Sequence, residues 1–160
     1  MQNECAEMVR SSPLVVEMSD EQKAILTDLV SCRNLNDTEI LIREGEVSNE
    51  LHVIVAGGLA VTRDTENGEW IVLHVLRPRD MAGELGFLDN LQHSATLRAM
   101  GPTRVFSLRR DRLEELIKTQ PMIVYLVMRA IVREVHGILR RMNFQYVELT
   151  NYISKQHGRY

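Results

Sequence analysis

Residues 81–98, MAGELGFLDNLQHSATLR, decide how this chain is read. A Gly-Glu pair (Gly83, Glu84) leads into the apolar run 85–88. A polar turn over 89–92 follows, and then a small-residue strand start at Ser94-Ala95-Thr96. That order predicts a short helical turn whose first backbone N–H groups, those of Leu85, Gly86 and Phe87, are free to meet an anion. Glu84 beside it is placed to accept hydrogen bonds from sugar hydroxyls. Gly83 serves either a close backbone approach or a positive-φ turn. Phe87 reads as core.

Outward from this stretch the pattern is one of short strands. Ile40, Leu41 and Ile42 form an apolar run stopped by Arg43-Glu44-Gly45-Glu46. Strands are predicted over 51–55 and 59–62, broken by Gly57-Gly58, and over 70–76 after a hairpin turn at Asn67-Gly68. Arg77-Pro78-Arg79-Asp80 turns the chain into the opening stretch. Beyond it, 95–100 and 104–108 flank the Gly101-Pro102 turn. Short strands at regular spacing predict a jelly-roll-like antiparallel barrel over 39–110.

The flanks are helical, which makes the chain one α+β domain. Residues 1–38 read as an N-terminal arm, a helix and a turn cluster over 34–38. Ser19 and Gln22 have the spacing of a capping box, and the helix behind them runs to about Ser31. Residues 111–160 read as C-terminal helices. The first covers 111–118 with Asp111 near its start, and the second has Pro121 in its first turn. From Val124 the apolar spacing alternates four and three through Met128, Ile131, Val135, Ile138, Met142, Gln145, Leu149 and Tyr152, all apolar but Gln145. This register predicts a coiled-coil seam and a homodimer, with Met128, Ile131, Val135, Ile138, Met142 and Leu149 at the interface. A second row, Tyr125, Val132, Leu139, Tyr146 and Ile153, lies beside the first. Two adjacent rows predict a helix with two roles, one row on its own barrel and one on a partner helix; a single wide stripe packed only on the home domain is the competing reading.

The stretch 81–98 resembles the phosphate-binding cassette of the cyclic-nucleotide-binding domains, found in catabolite activator proteins and in kinase and channel subunits. Glu44-Gly45-Glu46, Ser48, Leu51, Ile54 and Gly57 follow that family's glycine hairpin, and the likeness spans about residues 14–155. It implies a cyclic-nucleotide-binding β-roll with N-terminal helices and a long C-terminal helix. It also implies cyclic AMP or cyclic GMP as the possible ligand, held by Gly83, Glu84, Leu85, Gly86, His93, Ser94 and Ala95. Several positions depart from the family pattern. His93 stands where the family has the arginine that pairs with the cyclic phosphate. Arg79 and Ala82 stand where it has a turn glycine and a core phenylalanine. His52 also replaces the usual aromatic. On the long helix, Ile138 and Leu139 beside Gly137 occupy the places of the hydroxyl side chains that contact adenine in bacterial relatives.

An arginine grips phosphate with two parallel donors and a permanent charge. A neutral histidine, with an ordinary pKa near ~6.5, offers one donor. Losing the charge-assisted pair costs about 1.5–3 kcal/mol, or roughly 10- to 150-fold in affinity. Two functions follow. One is a non-enzymatic regulator that binds a cyclic or related anionic nucleotide weakly or with altered specificity and signals through a homodimer to a protein partner. The other is a dimeric scaffold whose pocket no longer binds nucleotide.

The totals agree with a single domain: 160 residues and a net charge of −3, which excludes an overall basic field for nucleic acid. No helix-turn-helix is expected after the long helix, so no DNA binding by this chain alone. Cys5 and Cys32 are expected to be free thiols, and with no signal or membrane segment the expected location is cytoplasmic. The five histidines lack metal-ligand spacing, and no hydrolase, Walker or Rossmann motif occurs, so neither metal, cofactor nor enzymatic activity is expected.

Overall fold

The computed structural model describes residues 2–157, with the side chains of 4–155. Eight strands among the described residues form two four-stranded antiparallel sheets. β1 (Val30–Leu35), β8 (Thr103–Arg109), β3 (Glu50–Ala56) and β6 (Met81–Ala82) make the first, in that order. The second is β2 (Ile40–Ile42), β7 (Thr96–Ala99), β4 (Leu59–Asp64) and β5 (Trp70–Leu76). The β-roll is therefore two facing sheets rather than a closed barrel.

Alternation along the strands builds two cores from one sheet. Leu51 and Val53 on β3, with Phe106 and Leu108 on β8, face the helical layer. On the opposite face of the same strands, Ile54 and Val105 meet the second sheet and pack with Ile42, Leu59, Leu97 and Ala99. His52 and Ser107 lie opposite each other in the β3–β8 register. The helical layer consists of α1 (Gln2–Arg10), a 3₁₀ turn at Pro13–Val15, α2 (Asp20–Thr27), α4 (Arg110–Glu114) and α5 (Pro121–His157). α3 (Glu84–Asp89) lies within the cassette.

Local signals hold where a named residue enforces them. Ser19 Oγ accepts from Gln22 N, and Gln22 Oε1 accepts from Ser19 N, closing the capping box that starts α2. Gly68 takes φ +77° in the β4–β5 turn. Pro121 opens α5. Three boundaries differ from expectation. The roll starts at Val30, not 39, because β1 is an edge strand whose Ser31-Cys32-Arg33-Asn34 are exposed and carry no apolar period. α2 accordingly ends at Thr27. The helix expected over 111–118 is the shorter α4, followed by turns.

The expectation of two free thiols is overturned. Cys5 on α1 and Cys32 on β1 form a disulfide, their Cα atoms 5.9 Å apart. A sequence separation of 27 gives no hint of this. It follows from α1 lying beside the edge strand.

α5 corrects the seam. Ile123, Val127, Ala130 and Ile131 are buried in the helix-facing core, Ile131 fully so, and this row faces the home domain. Ile131 is thus a core residue. Ile138 turns into the cassette pocket. What remains outward is Val132, Leu139 and Tyr146 of the second row together with Met142 and Leu149 of the first, all about half exposed or more. Met128 and Val135 edge it while also touching the core. With Ile153 in step, the spacing is a strict four–three alternation without Gln145.

Candidate functional site

The cassette hangs on β6 and is shaped by two glycines. Gly83, at the N-cap of α3, has φ +84°, and a Cβ there would lie 2.6 Å from the Glu50 carbonyl. A Cβ on Gly86 would lie 2.6 Å from the Ser48 carbonyl and 3.1 Å from the His93 ring. These close approaches seat α3 directly on the segment leading into β3. Phe87, buried, pins the helix to the core. Asn90 caps α3 in the left-handed region at φ +56°. Arg110 holds that end, donating to Phe87 O (3.3 Å) and Asn90 Oδ1 (2.8 Å). The sequence reading missed Arg110, which lies in the next structural unit and has no local signature.

A pocket of about 240 Å³ opens in front of the cassette. Gly83, Glu84, Leu85, His93, Ser94 and Ala95 line it, so six of the seven expected ligand residues come together. Gly86, the seventh, is buried behind the wall against His93. Val61, Leu76, Leu97 and Ile138 give the pocket an apolar side, and Ile138 is its lining residue from α5. Leu139, expected beside it at the base end, faces outward instead. Among the described residues, neither Lys nor Arg lines the pocket, and Glu84 is the one carboxylate that does. Two more carboxylates lie close behind: on α5, burial together with the charges of Asp80 and Glu84 raises the Glu134 pKa, against the pull of Arg141.

His93 is tied through its backbone to the glycine hairpin. Its N–H donates to Glu46 O (2.9 Å), and its carbonyl accepts from Gly45 N (2.8 Å). Its ring lies against Gly86, with Nε2 buried and unpartnered among the described residues. Burial lowers its pKa, and the nearby Glu84 and Glu46 only partly offset this. The residue in the arginine's place is therefore uncharged at neutral pH.

His52 is a second buried imidazole. It sits between the sheets, its Nδ1 hydrogen-bonded to Ser107 Oγ at 2.7 Å. Burial foremost, then the charges of His93 and Arg33, pulls its pKa down to about 4. Glu50 Oε2 at 3.9 Å from Nε2 is for that reason not an ion pair at neutral pH. His52 also lies beneath Gly83, its Cδ2 3.5 Å from where a Cβ would stand. Arg79, where the family pattern has glycine, itself takes φ +81°, and its Nη1 donates to Ser11 O (3.0 Å). Contact with the N-terminal segment thus accompanies a backbone form that disfavours any side chain.

A model of the cyclic nucleotide-binding domain matches residues 32–120, more than half of the chain. The chain belongs to this family. It is 31% identical over 98 residues to a cAMP-dependent protein kinase regulatory subunit of Dictyostelium discoideum, covering 59% of this chain and 30% of that protein. It is 29% identical over 106 residues to a CRP-like cAMP-activated global transcriptional regulator of Mycobacterium tuberculosis, covering 66% and 46%. The chain thus spans under half the length of these curated relatives. Among solved structures, a cyclic nucleotide-binding domain from Methylobacillus flagellatus superposes with a TM-score of 0.78 at 22% identity, covering 92% of this chain and 83% of that one. That likeness establishes the fold. The relatives are regulatory proteins, and no helix among the described residues is long and apolar enough to cross a membrane.

Proposed function

We propose that this chain is a non-enzymatic regulatory module that binds a cyclic nucleotide weakly and pairs with a second copy through α5 to signal to a protein partner. One observation carries the reading: neighbouring residues of α5 serve the two surfaces. Ile138 lines the pocket that holds Glu84 and Ser94, and Leu139 lies on the exposed four–three row. A ligand that touches Ile138 changes how α5 is held, and so how Leu139 meets its partner. Glu84 accepts the ribose hydroxyls, while Gly83, Leu85, Ser94 and Ala95 surround the cyclic phosphate. The affinity is weak because His93 brings no charge to that phosphate.

The absence of Lys and Arg from the pocket lining favours a second reading, a dimeric scaffold with no nucleotide ligand. Calorimetry with cyclic AMP and cyclic GMP at pH 6 and pH 8, paired with sedimentation, separates the two. The sensor reading expects binding between about 10 µM and 1 mM, a range of roughly −7 to −4 kcal/mol. It also expects a change in dimer affinity on binding. No heat at millimolar ligand at either pH leaves the scaffold reading.

A further inference from the structure

We propose that Cys5 and Cys32 are a thiol–disulfide exchange site whose redox state fastens or frees the first half of α1. The bond joins the first helix to β1, an edge strand paired only with β8. Cys32 is exposed on that strand, and a groove of about 450 Å³ between α1, α2 and the start of β1 opens onto Cys5. A reductant thus has a route to both sulfurs, as exchange requires.

The fastening of α1 is uneven along its length. Met8 and Val9 are buried in the core, and behind them Leu14 and Val15 anchor the 3₁₀ turn that packs on α5. Glu17 then takes both Arg129 (3.3 Å) and Arg133 (2.7 Å) of α5. Ahead of Met8, the helix is held by the disulfide and by an exposed Glu4–Arg104 ion pair. An exposed pair of this kind holds little. Opening the disulfide therefore frees residues 2–7, whereas Val9 and everything after it stay docked. The freed segment is joined, through Val9 and the 3₁₀ turn, to α5.

The exchange balances with a cellular dithiol or two glutathione molecules as reductant. A thiolate attacks Cys32 Sγ, forming a mixed disulfide and releasing Cys5 as a thiolate that takes a proton. A second thiol attacks the reductant's sulfur in that mixed disulfide, releasing Cys32. Two electrons pass to the protein, which gains two thiols, and the reductant leaves as its disulfide.

The test uses the full chain equilibrated in glutathione buffers from fully reduced to fully oxidised. It is then quenched with a mass-tagged maleimide and followed in parallel by amide hydrogen exchange. Expected are a two-thiol step within the glutathione range and at least tenfold faster exchange in residues 2–7 of the reduced form. Exchange in β3 and β8 is unchanged. Cys5→Ser and Cys32→Ser each reproduce the reduced pattern in oxidising buffer. Three results overturn the proposal: no pairing of the two thiols in the most oxidised buffer, a bond that survives the most reducing one, or opening that leaves exchange in residues 2–7 unaltered.

Discussion

The two halves of α5 are both rich in apolar side chains and meet opposite surroundings. Over 121–138 the row Ile123, Val127, Ala130 and Ile131 is buried against the roll and the N-terminal helices. Over 139–155 every side chain is exposed, including Leu139, Met142, Phe144, Tyr146 and Leu149. At about 1.5 Å per residue, a helix of 37 residues is about 55 Å long and outruns the domain it belongs to. The difference teaches that one helix carries two apolar faces, one buried against its own domain and one exposed. The home face ends where the domain ends. The exposed row begins beside it and continues past the domain, so burial within the chain does not account for the apolar character of the distal half.

The sharpest way to break this comparison is Leu139→Asp. In a dimer it places a carboxylate on both sides of the seam, and association should fall about 1000-fold, or about 4 kcal/mol. The melting of the isolated chain should move by no more than about 0.5 kcal/mol, as for an exposed site. Sedimentation equilibrium and urea melts read the two effects, and a destabilised chain that still dimerises would reverse the assignment. Ile131→Ala is the mirror test. A buried isoleucine truncated to alanine costs about 2–5 kcal/mol of stability, read as a lower urea midpoint, and dimer affinity of the folded chain stays the same.

Acid probes the body of the domain alone. His52 has its folded pKa depressed to about 4, below the unfolded value near ~6.5. The unfolded chain therefore binds the extra proton first. The contribution of His52 is complete above about pH 6.5 and is lost as pH falls toward 4, up to about 3 kcal/mol. His52→Gln, which keeps a polar side chain opposite Ser107, should flatten that slope in urea melts between pH 7 and 4.

The smallest expected effect is at the pocket. His93→Arg restores a permanent cation, and affinity for cyclic AMP should rise about 10- to 150-fold, or about 1.5–3 kcal/mol. In the native chain the His93 pKa is lowered by burial, and a bound phosphate would raise it, so cyclic AMP affinity should grow as pH falls below 7. Calorimetry that shows flat affinity from pH 8 to 5.5 would exclude His93 from the phosphate contact.

β2, β3, β4, β5, β7 and β8 were legible because each is bounded by turn residues with their own chemistry, such as Asn67-Gly68 and Gly101-Pro102; the two-residue β6 at the head of the cassette was not. Six of the seven cassette residues line one pocket because they sit within 13 consecutive positions, where chain connectivity holds them together. β1 was not legible, since an exposed edge strand has no apolar period to read. Arg110 was not, because its partners Phe87 and Asn90 are 23 and 20 residues away. The Cys5–Cys32 bond was read the wrong way, because two cysteines in sequence carry no information about which surfaces meet.

The sequence by itself determined the family, the order of most strands and of the long C-terminal helix, and the substitution that sets the pocket's charge. These rest on local chemistry: glycines that allow a backbone form, caps that start helices, a histidine where an arginine belongs. Tertiary structure alone decided which rows of α5 face inward. Apolar spacing repeats all around a helix with two apolar faces, and only the packed neighbour distinguishes them. It kept Met128, Val135, Met142 and Leu149 of the expected row and replaced the other half of that row by its neighbours Val132, Leu139 and Tyr146. Packing put Ile131 in the core and Ile138 in the pocket, and left Leu139, Met142, Tyr146 and Leu149 exposed.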